Sequence, residues 1–160
     1  MNKVVVTGLG IISPIGNELI SFTENLKNGV NGIKNITHFD TSDFSVKIAA
    51  QSNIVLDNFI SKKELKKLDN FSSFALIASD QAIKQSKINN LNDSDNIGVI
   101  LGSGIGGINT FEKQHKKLLD HPRKVSPFFI PSMISDIAAG HISIKYGFKG
   151  LNYCVVSACA

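Results

Sequence analysis

Cys159 is the residue in this chain best equipped for covalent chemistry. It closes the run Val155-Val156-Ser157-Ala158-Cys159-Ala160, where an apolar strand gives way to small residues and a thiol. A thiol at the end of a strand and at the entry to a helix meets free backbone N–H groups and the positive end of a helix dipole. Both favour the thiolate, the nucleophilic form of the side chain. The second cysteine, Cys154, falls in mid-strand and reads as a small buried hydrophobe. C-x4-C with no further cysteine is neither a disulfide framework nor a zinc site. His38, His115 and His121 have no metal-ligand spacing, and His141 in Ala-Gly-His-Ile reads as a satisfied helix histidine rather than a ligand or base.

Three other groups of residues carry chemical information. Gly102-Ser103-Gly104-Ile105-Gly106-Gly107 matches G-x-G-x-x-G between a strand and a helix, the context of a dinucleotide fingerprint. A nucleotide-binding oxidoreductase is therefore the rival reading. Against it, the run comes late, Asp120 lies at the end of a helix rather than of a strand, and Gly8-x-Gly10 is followed only by Gly16. Otherwise the glycines let backbone approach a ligand or another segment closely. Lys62, Lys63, Lys66 and Lys67 form one basic group and Arg123-Lys124 another; each is a solvated face or a dock for an anionic partner. Phe128-Phe129-Ile130, between Pro127 and Pro131, is too apolar for an exposed loop and belongs to a core or an interface.

The elements that must position these groups follow from periodicity and punctuation. Lys3 to Leu9 reads as a buried parallel-type strand, and Asn17 to Lys27 as a helix ending before Gly29. Residues 28–45 read as loop and Val46 to Ala50 as a short strand. Asp57 to Leu68 holds a short helical stretch. Asp69 caps a long helix through Ser86. After a polar connection from Asn89 to Asn96, Ile97 to Leu101 is a second apolar strand and Ile108 to Leu119 a helix. Pro122 to Pro131 reads as a loop, Ser132 to Lys145 as one helix ending at Gly147, and Leu151 to Ser157 as the last strand, apolar on both faces. Strands alternating with helices imply an α/β fold with a parallel or mixed sheet.

Composition excludes more than it identifies. The 160 residues are 42 % hydrophobic and 19 % charged, ordinary for a globular domain. No apolar run approaches the roughly 18 residues of a membrane span, and Thr7-Gly8 break up the N-terminal apolar stretch too early for a signal peptide. A cytoplasmic protein is expected. A net charge of +4 is too mild to indicate nucleic acid, and no nucleic-acid motif accompanies it; it suits an acidic partner.

Taken in order, the motifs resemble one family. Val4-Val5-Val6-Thr7-Gly8-Leu9-Gly10 with Ser13-Pro14-Ile15-Gly16, His38-Phe39-Asp40, and the glycine run at 102–107 resemble β-ketoacyl-acyl carrier protein synthases. So do Ser126-Pro127-Phe128-Phe129-Ile130-Pro131, Ala139-Gly140-His141 and Ser157-Ala158-Cys159-Ala160. The pattern is most like that of the condensing enzymes of bacterial type II fatty-acid synthesis, and polyketide ketosynthases share much of it. The resemblance implies a thiolase fold, layered α-β-α-β-α in the full-length homodimeric enzyme. Residues 1–160 would be its N-terminal half, ending just after the nucleophile.

The resemblance also implies roles. Cys159 would accept an acyl group from acyl carrier protein, with its own N–H as one oxyanion donor. Ile105 and Ala158 would line the acyl pocket, and Phe129 and Ile130 would reach the other subunit's pocket. Lys63, Lys66, Lys67, Arg123 and Lys124 would dock the acidic carrier protein. No metal, nicotinamide or other cofactor is implied, and neither nucleic acid nor membrane is an implied partner. The reaction implied is a decarboxylating Claisen condensation with malonyl-carrier protein. The family's catalytic histidines and lysine have no match here, and His141 corresponds to a different position. The 160-residue stretch alone is therefore expected to be inactive, as a fragment or as one piece of a split enzyme. A non-condensing scaffold subunit is the alternative from the binding class, and Cys159 argues against it.

Overall fold

The computed structural model of the chain describes residues 3–88 and 93–157. Its elements in order are α1 (Leu19–Lys27), β1 (Ile33–Asn35), β2 (Ile48–Ala50), α2 (Lys62–Leu65) and α3 (Asn70–Ser86). Then come β3 (Val99–Gly102), α4 (Ile108–Asp120), α5 (Phe129–Met133), α6 (Ile137–Tyr146) and β4 (Asn152–Val155). β1 and β2 form a small antiparallel pair. β3 and β4 run parallel, as a strand–helix–strand crossover requires.

The long helix α3 is set by its ends. Asp69 caps it, accepting the N–H of Phe71 at 3.3 Å, and Lys87 closes it in the left-handed conformation at φ 58°. α2 carries a capping box in which Ser61 and Glu64 bond each other's backbone N–H. The core lies where α3 and α6 meet the β3–β4 pair. Ile60, Leu76, Ile77, Ile83, Ile142 and Phe148 are buried together, with Val99 and Leu101 of β3 packed against them. Asp80 of α3 clasps α6. It accepts a hydrogen bond from Tyr146 Oη at 2.5 Å, and its carboxylate lies 3.2 Å from Lys145 and 2.5 Å from Lys84.

Four expectations are corrected. The stretch Lys3 to Leu9 is not a strand: no described strand lies beside it. It runs along α3, with the N–H groups of Leu9 and Ile11 held by Gln85 and Gln81 side chains at 2.6 and 2.9 Å. Gly8 and Gly10 rest on the carbonyls of Ala82 and Ala78, and an added Cβ would stand 2.1 and 1.8 Å from those oxygens. Val4, Val5 and Val6 stay exposed. Residues 28–45 are not all loop, because β1 finds β2 as its partner with Ile33 opposite Ala50.

The stretch Pro122 to Pro131 is largely turned into helix. Pro122 opens a 3-10 turn through Lys124, and α5 begins at Phe129. Pro131 lies in the first turn of α5, where a backbone N–H has no partner within the helix. The single helix expected from Ser132 to Lys145 is two. Ile134 is extended (ψ 141°), and the carbonyl of Met133 accepts the N–H of Gly107 at 2.8 Å instead of continuing the helical ladder.

Candidate active site

Parallel pairing of β3 and β4 brings two chemical segments to one end of the sheet. Gly102 pairs with Val155, and the N–H of Ser103 donates to the carbonyl of Val155 at 3.1 Å. The glycine loop therefore leaves β3 beside the point where β4 runs on toward Cys159. The carboxyl ends of parallel strands are where such sheets build binding sites. Ala158 and Cys159 themselves lie outside the described residues. Cys154 is paired with Leu101, on the face that α6 covers, and is only partly buried, less than the buried position expected of it. Asn152 shares that face and donates to Ala139 O and Ser143 Oγ of α6 at 2.9 and 2.6 Å. The opposite face of the pair, with Ile100, Tyr153 and Val155, is open, so only one face of the expected doubly covered strand is covered among the described residues.

The glycine loop is built for close backbone packing. Gly106 adopts φ +77°, and its N–H donates to Ser103 Oγ at 3.0 Å. A Cβ at Gly106 or Gly107 would stand 2.5 Å from Met133 O or 2.6 Å from Ser132 O. Behind the loop Asp69 is 4 % exposed. Beyond Phe71 N it accepts the N–H of Thr110 at 2.7 Å, so this one carboxylate caps both α3 and α4. The cap disposes of the nucleotide reading. The first turn of α4, where a pyrophosphate would sit, is already occupied by a buried anion. Sequence reasoning found only half of this role, because the spacing from residue 69 to residue 110 carries no local signal.

The loop presents Ile105 at its tip, largely exposed. Ile105, Ile108, Phe111, Met133, Ile134 and Ser135 line an open apolar groove of about 410 Å3. Phe129 is half-buried beside Phe111, with ring centroids 6.3 Å apart, while Ile130 is exposed on the same short helix.

The five basic residues singled out from sequence are all exposed. The fold joins their two groups. Ser132 Oγ of α5 donates to Lys67 O at 2.7 Å, and Lys67 Nζ stands 5.0 Å from the centre of the Phe128 ring. His121 Nδ1 accepts the N–H of Arg123 at 3.1 Å and so shapes the turn that carries Arg123 and Lys124. Lys124 pairs with Asp120. His141 is helical as expected and half-buried. Its ring, at the wall of a cavity of about 330 Å3 between α3 and α6, makes no hydrogen bond among the described residues. Burial lowers its pKa below the ordinary imidazole value. No cluster of three or more metal-ligating side chains occurs among the described residues, and no described helix is long and apolar enough to cross a membrane.

Comparison with known proteins places this geometry. The family model of the β-ketoacyl synthase N-terminal domain matches residues 1–160. A 3-oxoacyl-[acyl-carrier-protein] synthase 2 from Staphylococcus aureus is 47 % identical over 99 % of this chain and 39 % of its own length. The chain thus spans about two fifths of the curated relatives it matches. Among solved structures, the ishigamide ketosynthase/chain length factor superposes with a TM-score of 0.81 at 22 % identity, over 98 % of this chain and 40 % of that one. A type II polyketide ketosynthase solved with its acyl-carrier protein gives 0.69 at 23 % identity, over 91 % and 39 %. These likenesses show the mixed α/β fold of the ketosynthases, of thiolase type.

Proposed function

This chain belongs to the β-ketoacyl synthase family, and from that premise we propose that it is the nucleophile-bearing N-terminal half of a homodimeric, cytoplasmic condensing enzyme of fatty-acid synthesis. In this reading the Cys159 thiolate attacks the acyl thioester carried by acyl carrier protein. A tetrahedral oxyanion forms, with the Cys159 N–H as one donor, and collapses with loss of the carrier thiolate. Malonyl-carrier protein then loses CO2, and the resulting enolate carbon attacks the acyl-Cys159 thioester. The Cys159 thiolate leaves and 3-oxoacyl-carrier protein is released. The decarboxylation step draws on groups outside these residues.

Ile105 and Ala158 would line the acyl chain, and Phe129 and Ile130 would reach the other subunit's pocket. Lys63, Lys66, Lys67, Arg123 and Lys124 would dock the carrier. The observation that carries the proposal is the strand register, which sends the glycine loop with Ile105 and the segment leading to Cys159 out of the same sheet end. The apolar groove beside Ile105 suits an acyl chain better than a charged cofactor. The 47 % identity to a 3-oxoacyl-[acyl-carrier-protein] synthase 2 favours fatty-acid over polyketide synthesis.

The test is an assay of the full-length enzyme with acyl- and malonyl-carrier protein, following 3-oxoacyl product and CO2. Cys159→Ala should abolish condensation, and Cys154→Ala should leave it largely intact. Condensation that survives Cys159→Ala would refute the proposal.

A further inference from the structure

Between the two basic groups lies a notch of about 250 Å3 whose walls include Lys66, Thr110, Lys113, Gln114, Ser126 and Phe128. No acidic residue lines it. Neither Lys66 nor Lys113 has an ion-pair partner among the described residues, and Glu112 beside Lys113 is taken up by Lys116 at 2.5 Å. The neutral groups are oriented to donate. Gln114 Oε1 accepts the N–H of Ser126 at 2.8 Å, which leaves the Gln114 amide NH2 free. Ser126 Oγ accepts the N–H of Phe128 at 3.1 Å, which leaves its hydroxyl hydrogen free. Asp69 lies behind Thr110, buried, with both oxygens engaged.

We propose that this notch is an anion subsite in which Lys66 and Lys113 bracket one carboxylate of the carrier protein, with Gln114 Nε2 and the Ser126 hydroxyl as neutral donors. Lys113 thereby becomes a docking residue that links the α2 lysines to Arg123-Lys124. The inference rests on the carrier-docking reading above. The docking reading makes the anion a carboxylate, and the spent backbone donors fit that choice. The backbone N–H groups of Thr110, Ser126 and Phe128 are all spent on side chains, so no backbone cradle remains for a phosphate.

The experiment measures the dissociation constant of acyl-carrier protein from the full-length enzyme at two salt concentrations. Lys113 is exposed, so its substitution leaves the fold intact. Lys113→Ala should weaken binding about fivefold, and Lys113→Glu more, with a shallower salt dependence in both. Lys63→Glu/Lys67→Glu, outside the notch, tests the docking reading separately. If that double variant weakens binding and Lys113→Glu does not, the notch assignment is wrong and docking stands. If neither weakens binding, the docking reading falls with it. Phosphate and chloride at matched ionic strength should give the same wild-type affinity. Extra inhibition by phosphate that disappears in Lys113→Ala would make the notch a phosphate site and overturn the carboxylate assignment.

Discussion

Asp69 joins two helix starts through one carboxylate, and almost none of it reaches solvent. Removing it orphans the N–H groups of Phe71 and Thr110. Asp69→Ala should therefore destabilise the full-length enzyme by about 2–3 kcal/mol, read from the denaturation midpoint. Asp69→Asn should fall between, because its oxygen can still cap α3 while its NH2 faces the N–H of Thr110. An unchanged midpoint in Asp69→Ala would show that the double cap carries no stability. Ser72 is the opposite case. It is fully buried, and its hydroxyl has no partner among the described residues. Ser72→Ala should be neutral or stabilise by about 1 kcal/mol; a clear loss of stability would mean that the hydroxyl is bonded in the native enzyme. The sequence made Asp69 legible as a cap of α3, since a capping residue announces itself beside its own helix. Its hold on α4, and the assembly of Lys66 with Lys113, depend on contacts between segments some forty residues apart, which local pattern does not encode.

At the scale of elements, the clasp between α3 and α6 titrates. Burial pushes Asp80 up, but hydrogen bonds from Lys84, Tyr146 and Lys145 outweigh it and hold the carboxyl at about 2, below its ordinary 3.8. Tyr146 is raised in turn by burial and by its bond to Asp80. A depressed folded pKa contributes stability that is complete above the unfolded value. The Asp80 contribution should thus persist above about pH 4 and be lost as pH falls from 3.8 toward 2. Asp80→Asn should flatten the acid limb of a stability–pH curve in that window; an unaltered limb would remove Asp80 from the account. The glycine loop gives a second expectation. Ile105→Phe should obstruct long acyl chains while short ones still load, since a bulkier side chain narrows the groove in which the chain is proposed to lie. A wild-type chain-length profile would take Ile105 out of the pocket. Helices were the elements best read from sequence, because caps and periodicity are local: α1, α3 and α4 lie close to their expected spans. The stretch Lys3 to Leu9 reads as a strand and is not one here, because β-branched composition forms a strand only where a partner strand lies beside it. Ser132 to Lys145 reads as one helix because the break at Ile134 carries no local signal: the Met133 carbonyl is taken by the N–H of Gly107, a residue of a different segment.

On the scale of the whole molecule, the described structure is covered on one side and open on the other. Ile100, Tyr153, Val155 and Val156 lie exposed on or beside the β3–β4 pair, and Val4 to Val6 are exposed along the N-terminal segment. Open apolar sheet and unpaired strand edges drive association. The 160-residue chain purified alone should therefore self-associate and form no 3-oxoacyl product. A monodisperse monomer that condenses would contradict the half-enzyme proposal. The family and the fold were legible from motif order across the chain, whereas the roles of individual residues depend on Cys159. The most direct test is chemical. The full-length enzyme is incubated with a reactive acyl thioester or an epoxide inhibitor, and the modified cysteine is located by mass spectrometry. The account predicts an adduct on Cys159 and none on Cys154, which the sheet holds against α6. An adduct on Cys154 with Cys159 untouched would contradict it.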